Sequence, residues 1–375
     1  MKQQILIFGD ICPDNDYREM FDKNSNGAFS KEIAEEIKNS ALVIANFECP
    51  ATNNTVPLTK CGPALKAEPQ DIHLLKNMGF DVLSLANNHI LDYGMQGVYE
   101  TLKLCADSNI RTVGAGENKT EAAKPLYCEF GSKTIGIISF AEAEFNLAGD
   151  TTPGANHFDP YNSFDLVTEM KKHCDYLIVL YHGGIEHYKN PSPLLQKKCR
   201  KFANSGADLV LCQHSHCIGT VEEINGSTIL YGQGNSLFGY RQGNDAWNEG
   251  LMVSIEFGVK PVLRFRMLKA TKDGIVFASK EESEKRVEEM HKDSEKLNDL
   301  LWIENQWLLF SKKQEAMYFP MLFGRGRVFN KVNRILNNKL INKIYSRGKF
   351  MVTMNLLRCE AHHEVVQTIL EEKIF

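Results

Sequence analysis

Two histidines separated by one residue, His214 and His216, close an apolar run that starts at Ala207 and ends in Gln213-His214-Ser215-His216. Imidazoles on a loop directly past a rigid strand are placed to reach one metal ion, and a pair of polar loop histidines would look the same. The rest of the chain has to decide. Asp10 follows the apolar run 5–8, Glu48 follows 41–44, Asn88 and His89 follow 81–86, and His182 follows 175–181. Hard divalent cations favour carboxylate oxygens, borderline ones accept imidazole, and two neighbouring ions need several such ligands with a shared bridge. Two carboxylates, one carboxamide and four histidines meet that requirement.

The elements that must position these groups alternate in type. After the run 5–8, Ser30 offers an N-cap to a helix with Ile33 and Ile37 on one face. Residues 69–78 read as a helix entered through Pro69 and closed by Gly79. Further helices are expected at 99–105, 164–172 and 194–203, and further strands at 110–116, 134–140 and 250–257. Such alternation implies a layered α/β or α+β domain whose strands carry polar side chains at their C-terminal ends, where open sheets place their sites.

Each candidate has an ordinary competitor. Asp10 suits an Asx turn or N-cap, Glu48 an exposed loop before Cys49-Pro50, and Asn87 and Asn88 a turn. His89 suits a packed core histidine, and His182 the tight turn made by Gly183-Gly184. Lys60 and Lys66, around Gly62-Pro63, read as solvated lysines or as contacts for an anionic substrate. The glycines at 114, 116, 232 and 234 read as turns, because neither pair follows a nucleotide-binding fingerprint.

Composition excludes several classes. A chain of 375 residues, 43% hydrophobic and 24% charged, can bury a large core, and a net charge of -4 gives no global reason to bind nucleic acid. Ten cysteines without a C-x-x-C pair, behind an N-terminus that enters a strand at once, read as reduced thiols. The expected compartment is the cytoplasm, with peripheral attachment to the membrane.

The segments FGDICPD, ALVIANFECP, VLSLANNHILDYG, TVGAGEN, VLYHGGIEHY, ADLVLCQHSHCIG and ILYGQGNSLF, in this order over residues 1 to about 260, resemble the CapA family of bacterial capsule and poly-γ-glutamate synthesis. That family is similar in fold to the calcineurin-like metallophosphoesterases. The resemblance implies an α+β, four-layer α/β/β/α sandwich in place of an open sheet, with a two-metal site at the strand ends. Carried onto matching positions, it implies Asp10 and His216 on one ion, Asn88, His182 and His214 on the other, and Glu48 as the bridge. His89 would be the general acid, oriented by Asp92, and Glu186, four residues after His182, a base or substrate contact if that stretch is helical. The expected cofactors are two divalent ions, of Mn, Fe or Zn. Cys12 stands where metallophosphoesterases usually place a histidine and is not expected to ligate; Gln213 stands where a glycine commonly sits, and Glu48 replaces the commoner aspartate.

A domain over residues 1–265 and a mainly helical, basic region over 266–375 are expected. Residues 280–300 read as an exposed helix or linker, and 302–323 as a segment apolar enough to dock. Residues 312–358 hold eleven Lys or Arg against Glu315 alone, with apolar residues near helical spacing. Such a region suits an anionic membrane surface, an acidic polymer or contact with a polymer-synthesis complex, and equally a packed helical domain with a basic face in water. The expected function is a metal-dependent hydrolase of phosphoesterase or glutamyl-amide type, acting on an anionic substrate or polymer in capsule or exopolymer biosynthesis. The alternative is a non-catalytic subunit of the assembly that makes the polymer.

Overall fold

In the computed structural model, residues 4–13, 17–323, 326–337, 339–358, 361–363, 365–366 and 370 are described. Asp14 of the first motif, Arg325 and Cys359 lie outside them. Two compact units result, one ending at Glu304 and the other starting at Asn305.

The first half of the larger unit repeats strand and helix. Strands β1 (Gln4–Ile11), β2 (Leu42–Phe47), β3 (Val82–Ser84) and β4 (Arg111–Val113) pair in parallel in that order. Between them run α1 (Arg18–Lys23), α2 (Lys31–Lys38), α3 (Pro69–Met78) and α4 (Gly94–Asp107). Local signals set the ends. The Ser30 hydroxyl accepts from Ile33 N at 3.4 Å, Pro69 opens α3 behind a Glu68–Asp71 capping box, and Gly79 stops it at φ 114°. Helix α4 begins at Gly94, five residues before its apolar spacing becomes readable at Tyr99.

A small ladder of β5 (Ala115–Gly116) and β8 (Gly154–Ala155) and the short α5 (Lys119–Ala122) lie beside the entry to a second sheet. That sheet has the order β11 (Val221–Ile224), β12 (Ser227–Leu230), β10 (Leu209–Gln213), β9 (Tyr176–His182), β7 (Lys133–Ala141), β6 (Leu126–Phe130). Helices α6 (Ser163–Lys171) and α7 (Pro193–Asn204) cross between its parallel strands. The chain then returns to the first sheet. Strand β13 (Asn235–Leu237) lies along β1, and β14 (Glu249–Phe257), β15 (Pro261–Thr271) and β16 (Gly274–Phe277) extend the other edge.

Alternation along the strands makes the layers. Ile5 and Ile7 of β1, Ile44 of β2, Ile135 and Ile137 of β7, and Ile178 and Leu180 of β9 meet in one core between the sheets. Their neighbours Leu6, Phe8 and Val43 face away and pack on Ile33, Ile37, Ile72 and Leu75 of α2 and α3. Leu177 and Val179 face away on the other side and pack on Val167 of α6 and Phe202 of α7. The fold is the expected α/β/β/α sandwich, and strands buried on both faces are why the sequence reads as continuous apolar runs.

Helix α8 (Lys280–Ser294) is a capped helix of this unit, with Ser279 and Glu282 forming a capping box and Met290 inserted into the core between the sheets. The boundary expected at 265/266 falls inside β15, which pairs with β14 over Pro261–Lys269, so the division moves to Glu304. Of the segment expected to dock, Trp302 and Ile303 join the outer core of the second sheet, whereas Leu308, Leu309, Met321 and Leu322 are exposed. These belong to α9 (Leu300–Phe323), followed in the second unit by α10 (Arg327–Ile335), α11 (Lys339–Ile344) and α12 (Arg347–Arg358). Among the described residues no helix is long and apolar enough to cross a membrane.

One glycine is required where the strands converge. A Cβ on Gly9 would stand 2.4 Å from the Gly234 carbonyl oxygen, at the bulge just before Asp10. Gly9→Ala is therefore expected to push β13 from β1 and to lower stability by about 1–3 kcal/mol, read as a lower urea midpoint at unchanged m-value.

Candidate metal centre

The strand ends of both sheets meet at one point. Asp10 lies near the end of β1, Glu48 just past β2, and Asn87, Asn88 and His89 past β3; His182 ends β9, and His214 follows β10. All are buried. One potential ligand triad is Glu48, His182 and His214, and a second is Asp10, Glu48 and His216, with ligand atoms in each within 4.8 Å of one another. Glu48 belongs to both. Its Oε1 lies 3.4 Å from His182 Nε2 and 3.9 Å from His216 Nε2. Asn88 Oδ1 lies 3.0 Å from His182 Nε2, which brings the carboxamide to the first triad.

Hydrogen bonds hold these groups in place. Asn46, also at the end of β2, donates from Nδ2 to Asp10 Oδ1 at 2.8 Å and lies 3.3 Å from His182 Nδ1. Asp10 Oδ2 accepts from the His214 backbone N–H at 3.2 Å. His216 Nδ1 lies 2.8 Å from Asn235 Oδ1, and Asn235 donates to the Trp247 carbonyl at 2.9 Å. The histidine loop is strained, with φ of 88° at His214 and 50° at His216, a region side chains other than glycine rarely adopt. Such strain, of order 1–3 kcal/mol per residue, persists where surrounding contacts over-determine the backbone. Here they include Asp10 on the loop's first amide and the Ser215 carbonyl accepting from His187 N at 2.8 Å.

Burial without counter-charge governs the electrostatics. The carboxyls of Asp10 and Glu48 are both pushed up to about 8, chiefly by burial, and for Asp10 the neighbouring Glu48 charge adds to it. His182 and His214 are pushed down to about 4, again chiefly by burial, and His216 also moves down. Every group is driven towards its neutral form. Neither Glu48 oxygen nor His214 Nδ1 has a hydrogen-bonding partner, although all three atoms are buried. The Asp10 carboxyl could donate to Glu48 only if protonated. Buried acceptors without donors, in a set of carboxylate, imidazole and carboxamide, fit a divalent cation.

Beside the triads stands a second group. His89 Nδ1 lies 2.6 Å from Asp92 Oδ2, which also accepts from Leu65 N at 2.6 Å. Asp92 Oδ1 is paired with Lys60, whose side chain is only 4% exposed. The solvated reading of Lys60 is thus corrected: this ammonium is buried against a carboxylate. With Nδ1–H donating to Asp92, the Nε2 of His89 is left as the nitrogen available for chemistry.

Glu186 lies in an irregular loop, not a helix, and is exposed; its charge still raises the pKa of both Glu48 and His214, which places it at the rim. Gln213 is buried at the end of β10 and donates to Gln233 Oε1 at 3.3 Å, which ties β10 to the segment leading into β13. Cys12 is absent from both triads and neighbours the Cys49 thiol. Sequence reading missed Glu144, whose Oε1 is 3.9 Å from His214 Nε2 and whose Oε2 accepts from Asn88 at 3.5 Å. It follows the apolar run of β7, so the rule that singled out the other strand ends applies to it too. It also missed Trp247, whose ring centroid is 4.7 Å from that of His216 and which carries the Arg241 guanidinium 3.1 Å above its own.

Residues 4–240, more than half of the chain, match the family described as bacterial capsule synthesis protein PGA_cap. The chain is 30% identical over 234 residues to the PGA biosynthesis protein CapA of Bacillus subtilis, covering 61% of this chain and 62% of that protein. It is 26% identical over 246 residues to the capsule biosynthesis protein CapA of Bacillus anthracis, covering 63% and 60%. These similarities span about three fifths of each relative. Among solved structures, a hypothetical protein from Thermus thermophilus aligns with a TM-score of 0.45 at 15% identity, covering 71% of this chain and 99% of that one.

Proposed function

The chain belongs to the bacterial capsule synthesis protein PGA_cap family, and from that premise we propose that it is a two-metal hydrolase acting on an anionic substrate of capsule or exopolymer metabolism. The observation that carries this reading is Glu48, a buried carboxylate with no hydrogen-bond donor on either oxygen that belongs to both ligand triads. Asp10, Glu48 and His216 would hold one ion, and Glu48, Asn88, His182 and His214 the other. When bound, such a pair polarises the scissile centre and supplies a nucleophile from water at neutral pH.

The remaining steps fall to side chains. His89 starts as the imidazolium, with Nε2–H facing the leaving group, and gives up that proton as the bond breaks, which leaves the ring neutral with its remaining proton on Nδ1. Asp92 holds the imidazole in the tautomer with the proton on Nδ1, and Lys60 balances the Asp92 charge in a site closed to water. Glu144 and Glu186 add negative charge near the ligands, and Arg241 lies over Trp247, whose ring packs beside His216.

The bond is a phosphoester or a γ-glutamyl amide; the names of the Bacillus relatives favour a substrate of PGA or capsule biosynthesis. A screen of phosphomonoesters, phosphodiesters and γ-glutamyl amides, run on protein loaded with Mn, Fe or Zn, separates them. Hydrolysis of one class by loaded protein, and its loss after chelation, is the expected result. Protein that takes up metal yet cleaves neither class would replace the enzyme with a binding subunit of the polymer-forming assembly.

A further inference from the structure

We propose that the second unit docks on an anionic lipid surface through the outer face of α10. In α10, Val328, Val332 and Ile335 recur at i, i+4 and i+7 and are exposed, with Val328 at 79% and Ile335 at 71%. Arg327, Lys331 and Arg334 repeat the same spacing one residue earlier, so a cationic stripe flanks the apolar one about 100° around the helix. The opposite side of the helix is already used. Asn333 is buried, and its Oδ1 accepts from the backbone N–H of Ile341 in α11 at 3.1 Å.

In α12, Met351, Val352, Met354 and Leu357 are exposed too, spread around the helix and not gathered on one face. Residues 316–359 contain nine Lys or Arg and no Asp or Glu, within a chain whose net charge is -4. A soluble polyanion would account for the cations and leave the wet aliphatic stripe without a role. A bilayer with anionic headgroups accounts for both: the stripe enters the acyl boundary while the flanking cations meet the headgroups. Among the described residues no helix is long and apolar enough to cross a membrane.

Flotation of the full chain with vesicles tests this. Binding to vesicles of phosphatidylglycerol and phosphatidylcholine, and none to phosphatidylcholine alone, is expected, weakening as salt is raised. Each basic residue near such a surface strengthens partition about fivefold, so Lys331→Glu with Arg334→Glu should lower it by at least about 25-fold. Val328→Ser with Ile335→Ser leaves the charge untouched and should lower it about tenfold. Circular dichroism and metal content should match wild type for both variants, since all four residues lie on the surface. No flotation of wild type, or serine variants that bind vesicles and soluble polyglutamate as well as wild type does, would overturn the lipid assignment; in the second case the surface is a purely electrostatic polymer site.

Discussion

Protein carrying Glu48→Gln is expected to lose both metal equivalents at once. The substitution keeps the shape and removes one charge, but it also points an N–H₂ donor at positions now served only by lone pairs. Because Glu48 belongs to both triads, Asp10 with His216 and His182 with His214 each lose the carboxylate they share. Metal analysis after dialysis should read two equivalents for wild type and less than one for the variant. The same difference should show in stability. A ligand at about 100 times its dissociation constant stabilises the folded state by about 2.7 kcal/mol, so metal should raise the melting temperature of wild type and leave that of the variant in place.

The pH dependence has a defined sign. Folding raises the carboxyls of Asp10 and Glu48 from 3.8 and 4.5 to about 8, so the metal-free folded state holds protons that the unfolded chain has lost, and stability falls as pH rises through that window. His182 and His214 fall from 6.5 to about 4, so their contribution is lost as pH falls through that lower window. Between pH 4 and 6.5 the two trends oppose each other; between 6.5 and 8 only the carboxyl trend remains. The metal-induced rise in melting temperature should therefore grow from pH 6.5 to 8. A wild type that binds no divalent ion across that range, or a Glu48→Gln protein that keeps both, would end the two-metal reading.

How much of this was readable beforehand follows from sheet geometry. A parallel strand buried on both faces must be apolar until it stops, so the first polar residues past each run mark the C-terminal edge where the site forms. Asp10, Glu48, Asn88, His89, His182 and His214 were legible for that reason, with His216 drawn in by the turn. Residues that reach the site from outside this pattern were not. Lys60 comes from a loop with no periodicity, and only the fold reveals that Asp92 lies opposite it. Asn235 depends on β13 lying along β1, a pairing between segments more than 200 residues apart. The condition attached to Glu186, a helical stretch after His182, is not met, because Gly184 at φ 101° and His187 at φ 60° break any helix there. The early domain boundary failed similarly: β15 alternates weakly because it lies near the sheet edge and much of it is half-exposed, so it carried little apolar signal.

His89→Ala should separate holding metal from doing chemistry. His89 belongs to neither triad, so metal content and melting temperature should stay near wild type while kcat falls by about 10²–10⁴-fold. The fall should depend on the leaving group, being large for a poor one such as an alkoxide or amine and small for a nitrophenolate that departs without a proton. Asp92→Asn alone is a poor probe. It would strand the buried Lys60 ammonium without its carboxylate, and removing one partner of a buried pair costs about 3–5 kcal/mol. Pairing it with Lys60→Met removes both charges and leaves His89 without its orienting carboxylate. That double variant should fold, keep its metal and lose part of kcat, by less than His89→Ala does, because the imidazole is still present but no longer held in one tautomer. Equal rates for wild type and His89→Ala on a poor leaving group, at equal metal content, would remove His89 from the proton transfer and leave the Lys60–Asp92–His89 cluster as a structural support for the loop after β3.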